Sequence, residues 1–295
     1  MVHSFRWGNA IALALCLGLT ACNSGGSAPT PNPNPNPNPN PNPGTSTFSK
    51  LGIVFFINAD VGLGTPFNTA FAKFSSFATP QATSSIDLSA FPEQCVVGPS
   101  AGGTPPGTVS LPEGSPLDAG NPITFRSGTS VFATFQKDAS ILGDYSIPFG
   151  TPLANLPAGA TLDIPGASTG FPAFTGIAFP TSASLDLKVS GNDFSKVTKD
   201  STFTWTKGSG IVLLSGQQSI DGTTKTFSCY VTDDGSFSFS AATKAAFDSQ
   251  KFTTFEVNLG GRTLYSSQTK GDATLLLFFG STKALVSLTL ASLPK

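Results

Sequence analysis

The sequence predicts a mainly β fold, one or more β-sandwiches with one or two short helices, preceded by a disordered Pro-Asn tether. Three observations carry this expectation. Short apolar or alternating runs recur from residue 45 onward, each bounded by Gly, Pro, Asn or Asp. Phenylalanine is abundant, with 26 residues against 3 Tyr and 2 Trp, which suits a core that needs bulk without a polar handle. Helical periodicity is confined to two short segments.

The first element is a processing signal. Arg6 gives a short basic start, and Ile11 to Leu19 give an apolar run of h-region length, too short to span a bilayer as a mature helix. The run ends in Leu19-Thr20-Ala21-Cys22, which resembles the bacterial lipobox. That resemblance implies that residues 1–21 are cleaved and that Cys22 becomes the lipidated first residue of the mature chain, anchored in the bilayer by its acyl chains. An ordinary secretory signal with an incidental cysteine is the alternative. Asn23, where an aspartate would mark inner-membrane retention, points to the outer membrane or cell surface.

Residues 22–44 form the tether. Pro and Asn alternate from Pro31 to Pro43, so every second residue lacks a donor and its predecessor is pushed toward extended geometry. A stiff spacer of roughly 40 to 45 Å follows, at about 3.1 Å per residue.

Residues 45–295 are expected to be the β-rich extracytoplasmic domain, which admits two subdomains at about 45–167 and 168–295. Leu51 to Ile57, Ser130 to Phe135, Ser201 to Trp205 and Thr226 to Val231 read as strands. Asp233-Asp234-Gly235, between Phe227–Val231 and Ser236–Phe239, predicts a hairpin. Ser209-Gly210, Asp221-Gly222, Gly260-Gly261 and Gly271-Asp272 are expected to punctuate the chain in the same way. Ala273 to Phe279 and Ala284 to Leu290 are strand-length, not membrane-length. Two helices are expected. One starts at Thr65-Pro66 and stacks Phe67, Phe71 and Phe74 on one face; the other covers Ala241 to Phe247 with Ser240 as its cap.

Leu117-Asp118-Ala119-Gly120, Gly170-Phe171-Pro172-Ala173-Phe174, Phe203-Thr204-Trp205-Thr206, Phe227-Ser228-Cys229 and Asp234-Gly235-Ser236-Phe237 follow one another in order. This succession resembles a β-rich module of unknown function found in secreted and surface proteins of environmental bacteria. The resemblance implies secretion and a sandwich, and no activity. Trp205 with Cys229 is also similar to the immunoglobulin tryptophan packed near a cysteine, although the partner cysteine would lie far upstream.

Composition limits the chemistry. Removing Arg6 from 16 basic residues leaves 15 against 17 acidic ones, a net charge of −2, with no basic cluster; nucleic acid is not an expected partner. The only histidine, His3, leaves with the signal, so imidazole-based triads and histidine metal sites are unavailable. No phosphate loop or dinucleotide fingerprint occurs, and no cofactor or metal is expected. Cys95 and Cys229 remain as an even pair in an exported chain and are predicted to form a disulfide, two separate buried thiols being the alternative. Asp233 and Asp234 read as a solvated hairpin tip, and Asp186, Asp193, Asp200 and Asp221 as surface charge.

The expected function is therefore a membrane-anchored envelope lipoprotein that binds or scaffolds an envelope protein or polysaccharide without catalysis. The alternative is a carboxylate-based hydrolase of envelope or extracellular polysaccharide, which needs two carboxyl groups across a cleft.

Overall fold

Alternation of small and aromatic residues builds the first pair of strands, and the rest of the architecture grows around it. The computed structural model describes residues 47–60, 67–83, 93–98, 114–137, 143–147, 153–181, 185–220 and 222–285. The predicted signal and tether, Cys22, Thr65, Pro66, Asp221 and residues 286–290 lie outside these.

Strands β1 (Thr47–Asp60) and β2 (Phe67–Ala82) pair antiparallel, with Val54 opposite Ala72 and Phe56 opposite Ala70. The expected helix over Phe67, Phe71 and Phe74 is thus corrected to a strand. Ala70, Ala72 and Phe74 are buried at a period of two, Phe77 is buried beyond them on the other face, and partners on both sides override the local helical spacing. Gly52 faces Phe74, and a Cβ at Gly52 would lie 2.7 Å from that ring. The glycine is there to admit the aromatic.

After β3 (Gln94–Gly98) and β4 (Ser115–Pro116) come β5 (Ile123–Ser127), β6 (Ser130–Lys137), β7 (Asp144–Ser146), β8 (Thr161–Ile164) and β9 (Phe174–Ala178). Next are β10 (Lys188–Val189), β11 (Val197–Thr198), β12 (Thr202–Thr204), β13 (Ile211–Ile220), β14 (Thr223–Thr232) and β15 (Ser236–Ser238). Helix α1 (Ala241–Ser249), β16 (Thr254–Lys270) and β17 (Ala273–Ala284) complete the described chain.

The fold is mainly β. Its long sheet runs β3-β14-β13-β16-β17-β1-β2-β7-β6-β5-β8-β9, and a second sheet runs β10-β12-β15. Strand β1 lies parallel to β17, with Lys50 opposite Ala273 and Asp60 opposite Lys283, so the first and last described strands are neighbours.

Past β2 the long sheet doubles back and closes a sandwich. Phe56 meets Phe125 edge to face at 5.7 Å, and Phe74 meets Phe171 at 4.9 Å. This first core also holds Ile123, Phe135, Leu162, Leu275 and Phe279. A second core lies between β13, β14 and β16 on one side and the small sheet with α1 on the other; Phe203, Phe227, Phe239, Phe247 and Phe255 meet there, mostly edge to face. Each such ring pair adds about 0.5–1.5 kcal/mol beyond its area burial.

Both cores line the same face of the long sheet because of a bulge in β16. Leu259 pairs with Ser215 and Val257 with Gly216, which leaves Asn258 as the extra residue. Strict alternation down from Arg262 would put Phe255 and Val257 on the outer face; the bulge returns them to the core and turns Glu256 outward.

Helix α1 is where the sequence placed it. Ser240 caps it, its Oγ accepting from the Thr243 N–H at 3.2 Å, and Phe247 is fully buried beneath it. The hairpin reading of Asp233-Asp234-Gly235 is corrected: β14 pairs with β13 and β3, whereas β15 pairs with β12, so these residues form a corner between sheets. Direct pairing across short connections occurs instead between Ile220 and Thr223, and at the Gly271-Asp272 hairpin between Lys270 and Ala273. Gly260-Gly261 is also corrected, from a turn to the interior of β16. A Cβ at Gly261 would lie 2.8 Å from Thr282 Cγ2, so the pair serves close strand contact.

Candidate functional site

Of the ion pairs among the described residues, three are tied into the frame by further hydrogen bonds to other strands or turns, each in a different way. The most buried is at the corner between sheets. Asp233 is 2% exposed and Arg262 6%. Arg262 Nε lies 2.9 Å from Asp233 Oδ2, and its Nη2 donates to Asp233 Oδ1 at 3.0 Å and to the Thr206 carbonyl. Trp205 Nε1 donates to Asp233 Oδ1 at 2.8 Å, and the Gly210 N–H to Oδ2 at 3.2 Å. The reading of Asp233 as a solvated tip is therefore overturned, while Asp234 stays at the surface, accepting from the Ser236 N–H. The carboxylate bonds the Trp205 indole, the turn before β13 and an arginine in β16, joining three elements with every oxygen engaged. Both oxygens are bonded within the frame and the group is 2% exposed, so it is a fastening carboxylate and not one presented to solvent.

The second cluster sits where the Leu117-Asp118-Ala119-Gly120 signature crosses the first core. Tyr145, fully buried in β7, donates to Asp118 Oδ1 at 2.7 Å and accepts from the Ala119 N–H at 2.9 Å. Lys137 Nζ donates to Asp118 Oδ2 at 2.6 Å. The Lys137 and Tyr145 hydrogen bonds hold the Asp118 carboxyl at about 2, well below the usual carboxylate range. Burial, reinforced by the Asp118 carboxylate, pushes the Tyr145 phenol up to about 12. Both groups are moved away from neutrality, the opposite of what acid-base catalysis asks. Around them the chain is tightly knotted: the Phe171 N–H donates to the Asp118 carbonyl at 2.7 Å, and a Cβ at Gly170 would lie 2.0 Å from that oxygen.

The third is on β5 and β8, where Arg126 pairs with Asp163 and the Gly176 N–H donates to Asp163 at 2.7 Å. The scattered aspartates are surface charge as expected, in pairs such as Asp186 with Lys188 and Asp200 with Lys244.

Cys95 and Cys229 are disulfide-bonded, with Cα atoms 4.0 Å apart. They face each other directly across β3 and β14, within one sheet. The immunoglobulin likeness is corrected on this point, since that bridge crosses between sheets. Trp205 and Cys229 nonetheless share the second core. Among the described residues no three His, Cys, Asp or Glu side chains gather as a metal site would need.

One concave feature was not legible in the sequence. At the outer face of the long sheet, an open depression of about 290 Å³ is lined by Ser195, Gln217, Gln218, Ser219, Thr224, Thr254, Phe255 and Glu256. Glu256 pairs with Gln217 across β16 and β13, and Ser219 with Thr224 across the next hairpin. No local signal marks it: apolar residues fall at odd positions both before Asn258 (Phe255, Val257) and after it (Leu259, Tyr265), with Leu264 at an even one.

Compared with family models, with curated proteins and with solved structures, the chain finds no match.

Proposed function

We propose that this chain is a bacterial envelope lipoprotein, exported, acylated on Cys22 and held by the tether at the outer membrane or cell surface. Its β body binds or scaffolds an envelope component without catalysing a reaction. The address is supported by Leu19-Thr20-Ala21-Cys22 at the end of an apolar run and by the Pro-Asn run behind it. The non-catalytic role is supported above all by how Asp233 is used. It is the most buried carboxylate among the described residues, and both its oxygens accept hydrogen bonds, from Trp205, Gly210 and Arg262. Asp118 and Asp163 are likewise bonded to neighbouring strands. These carboxylates act as fasteners, their oxygens bonded to neighbouring strands and turns, whereas a hydrolase requires two carboxyl groups facing each other across a cleft.

The test is partitioning. Acyl chains contribute about 0.8 kcal/mol per buried methylene, so the wild-type chain made in a bacterial host should stay in the membrane fraction through a high-salt wash. Cys22→Ala should move it to the soluble fraction, and the wild-type intact mass should carry the lipid increment. An unchanged distribution of Cys22→Ala would overturn the assignment.

A further inference from the structure

From the depression on the outer face we infer that the body carries a binding site for an uncharged polysaccharide, with Glu256 and Gln217 as its central hydrogen-bonding pair. This rests on the non-catalytic binding role proposed above and names its ligand.

The argument begins with the bulge at Asn258. It turns Glu256 to the outer face beside Gln217, at the point where β13 parts from β16. Strand β11 and the preceding turn close the other side: Val197 pairs with Phe255, and the Val257 N–H donates to the Phe194 carbonyl at 2.8 Å. Strands β13 and β16, with the turn before β11 along the other edge of β16, thus frame the depression mostly from sheet positions, so little ordering cost attends binding.

Available chemistry narrows the ligand. The side chains of Glu256, Gln217, Ser219 and Thr224 have no hydrogen-bond partner among the described residues, whereas the rim is fixed. Gln218 Nε2 donates to Thr253 Oγ1 and the Thr253 N–H donates back to Gln218 Oε1, both at 3.0 Å. Ser195 Oγ donates to Asp193 at 2.6 Å. Directly across from Gln217, the Thr226 hydroxyl is buried without a partner.

No cation lines the depression, so an anionic ligand would meet the Glu256 carboxylate unopposed. Phe255, the one hydrophobic side chain in the lining, is 1% exposed with its ring packed on Phe227 and Phe247, so the depression offers no hydrophobic side chain to an apolar ligand. A carboxylate, a carboxamide and two hydroxyls suit vicinal diols, which donate to the first and exchange hydrogen bonds with the others. The volume is at the lower end of ligand pockets, roughly 300–1,000 Å³, and suits one sugar unit with the chain continuing at both open ends.

Without an aromatic platform each site is weak. Copies tethered on one membrane and facing a repeating polymer gain by avidity what the single site lacks.

The experiment titrates the full chain, nitrogen-labelled and detergent-solubilised, with maltohexaose, chitohexaose, oligogalacturonate and oligolysine, followed by NMR. The Gln217 side-chain amide and the neighbouring β13 and β16 backbone signals should shift with a neutral saccharide and stay still with oligogalacturonate. Gln217→Ala and Glu256→Ala should each weaken binding by at least about tenfold. Both change outward-facing side chains, and unchanged melting curves would verify that the fold survives. Absence of shifts with both neutral saccharides, preferential binding of oligolysine, or equal binding by the variants would overturn the site while leaving the membrane anchor and scaffold role standing. Release of new reducing ends from the saccharides would instead overturn the non-catalytic role itself.

Discussion

At the scale of single residues, the two aspartates of one turn have opposite roles, and the contrast is measurable. Asp233 is buried against Arg262, and removing one partner of such a pair leaves an uncompensated charge, at a cost of about 3–5 kcal/mol. Asp233→Ala should therefore lower the urea midpoint steeply, whereas Asp234→Ala, at the exposed position, should stay within about 0.5 kcal/mol of wild type. Equal effects would mean that the corner is not fastened by this pair. Asp118 supplies a second, pH-dependent fastening. Its folded-state pKa of about 2 lies below the ordinary 3.8, so its contribution is complete above 3.8 and is lost as pH falls through about 2. The side chain is 40% exposed, so solvent screening leaves only part of that shift as stability. Asp118→Asn should thus be less stable than wild type at neutral pH, and the two denaturation curves should converge near pH 2; a constant gap across the acid range would place the effect elsewhere than in the charge.

At the scale of elements, what the sequence announced and what it hid separate along physical lines. Strands with their own alternation and Gly-bounded ends were legible: Leu51 to Ile57 lies within β1, Thr226 to Val231 within β14, and Ser240 caps α1 as its chemistry requires. Elements decided by distant partners were not. Phe67, Phe71 and Phe74 have helical spacing, yet β1 and β7 on either side make β2 a strand, and the residues that count are the small Ala70 and Ala72 between them. Asp233-Asp234-Gly235 has hairpin chemistry, but its aspartate is drawn inward by an arginine in β16 that no local pattern connects to it. Beyond Arg6 the sequence has only Arg126 and Arg262, and that scarcity is the one clue that each is placed with purpose. The Gln217 and Glu256 pairing depends on a single extra residue, Asn258. The bulge leaves no clear mark in the local pattern, where Leu259 and Tyr265 keep the odd positions of Phe255 and Val257, and nothing local says which strand will lie opposite.

At the scale of the whole molecule, one sheet carries both large cores on one face and a smaller cluster (Phe48, Leu51, Phe77, Leu276, Phe278) on the other, and the disulfide tests whether the two large cores stand or fall together. The first core takes residues from β1 and β2 near the start and from β17 at the end, while the second takes β13 to β16 between them. Strand β17 joins β16 to β1, so neither core can unravel without uncovering the other's sheet face. Cys95 and Cys229 close a loop with a sequence separation of 134, fixing the edge strand β3 to the second core. In the chain-entropy model such a crosslink stabilises by about 5 kcal/mol, acting on the unfolded chain, with measured gains often smaller. A Cys95→Ser, Cys229→Ser variant should then fold to the same far-ultraviolet spectrum and unfold at a lower urea concentration. If the sheet is one cooperative unit, Trp205 fluorescence, which reports the second core, and circular dichroism, which reports all strands, should shift to the same new midpoint. Were the fluorescence midpoint alone to fall, the second core would be opening by itself, and the shared sheet would be a junction between two units rather than the frame of one.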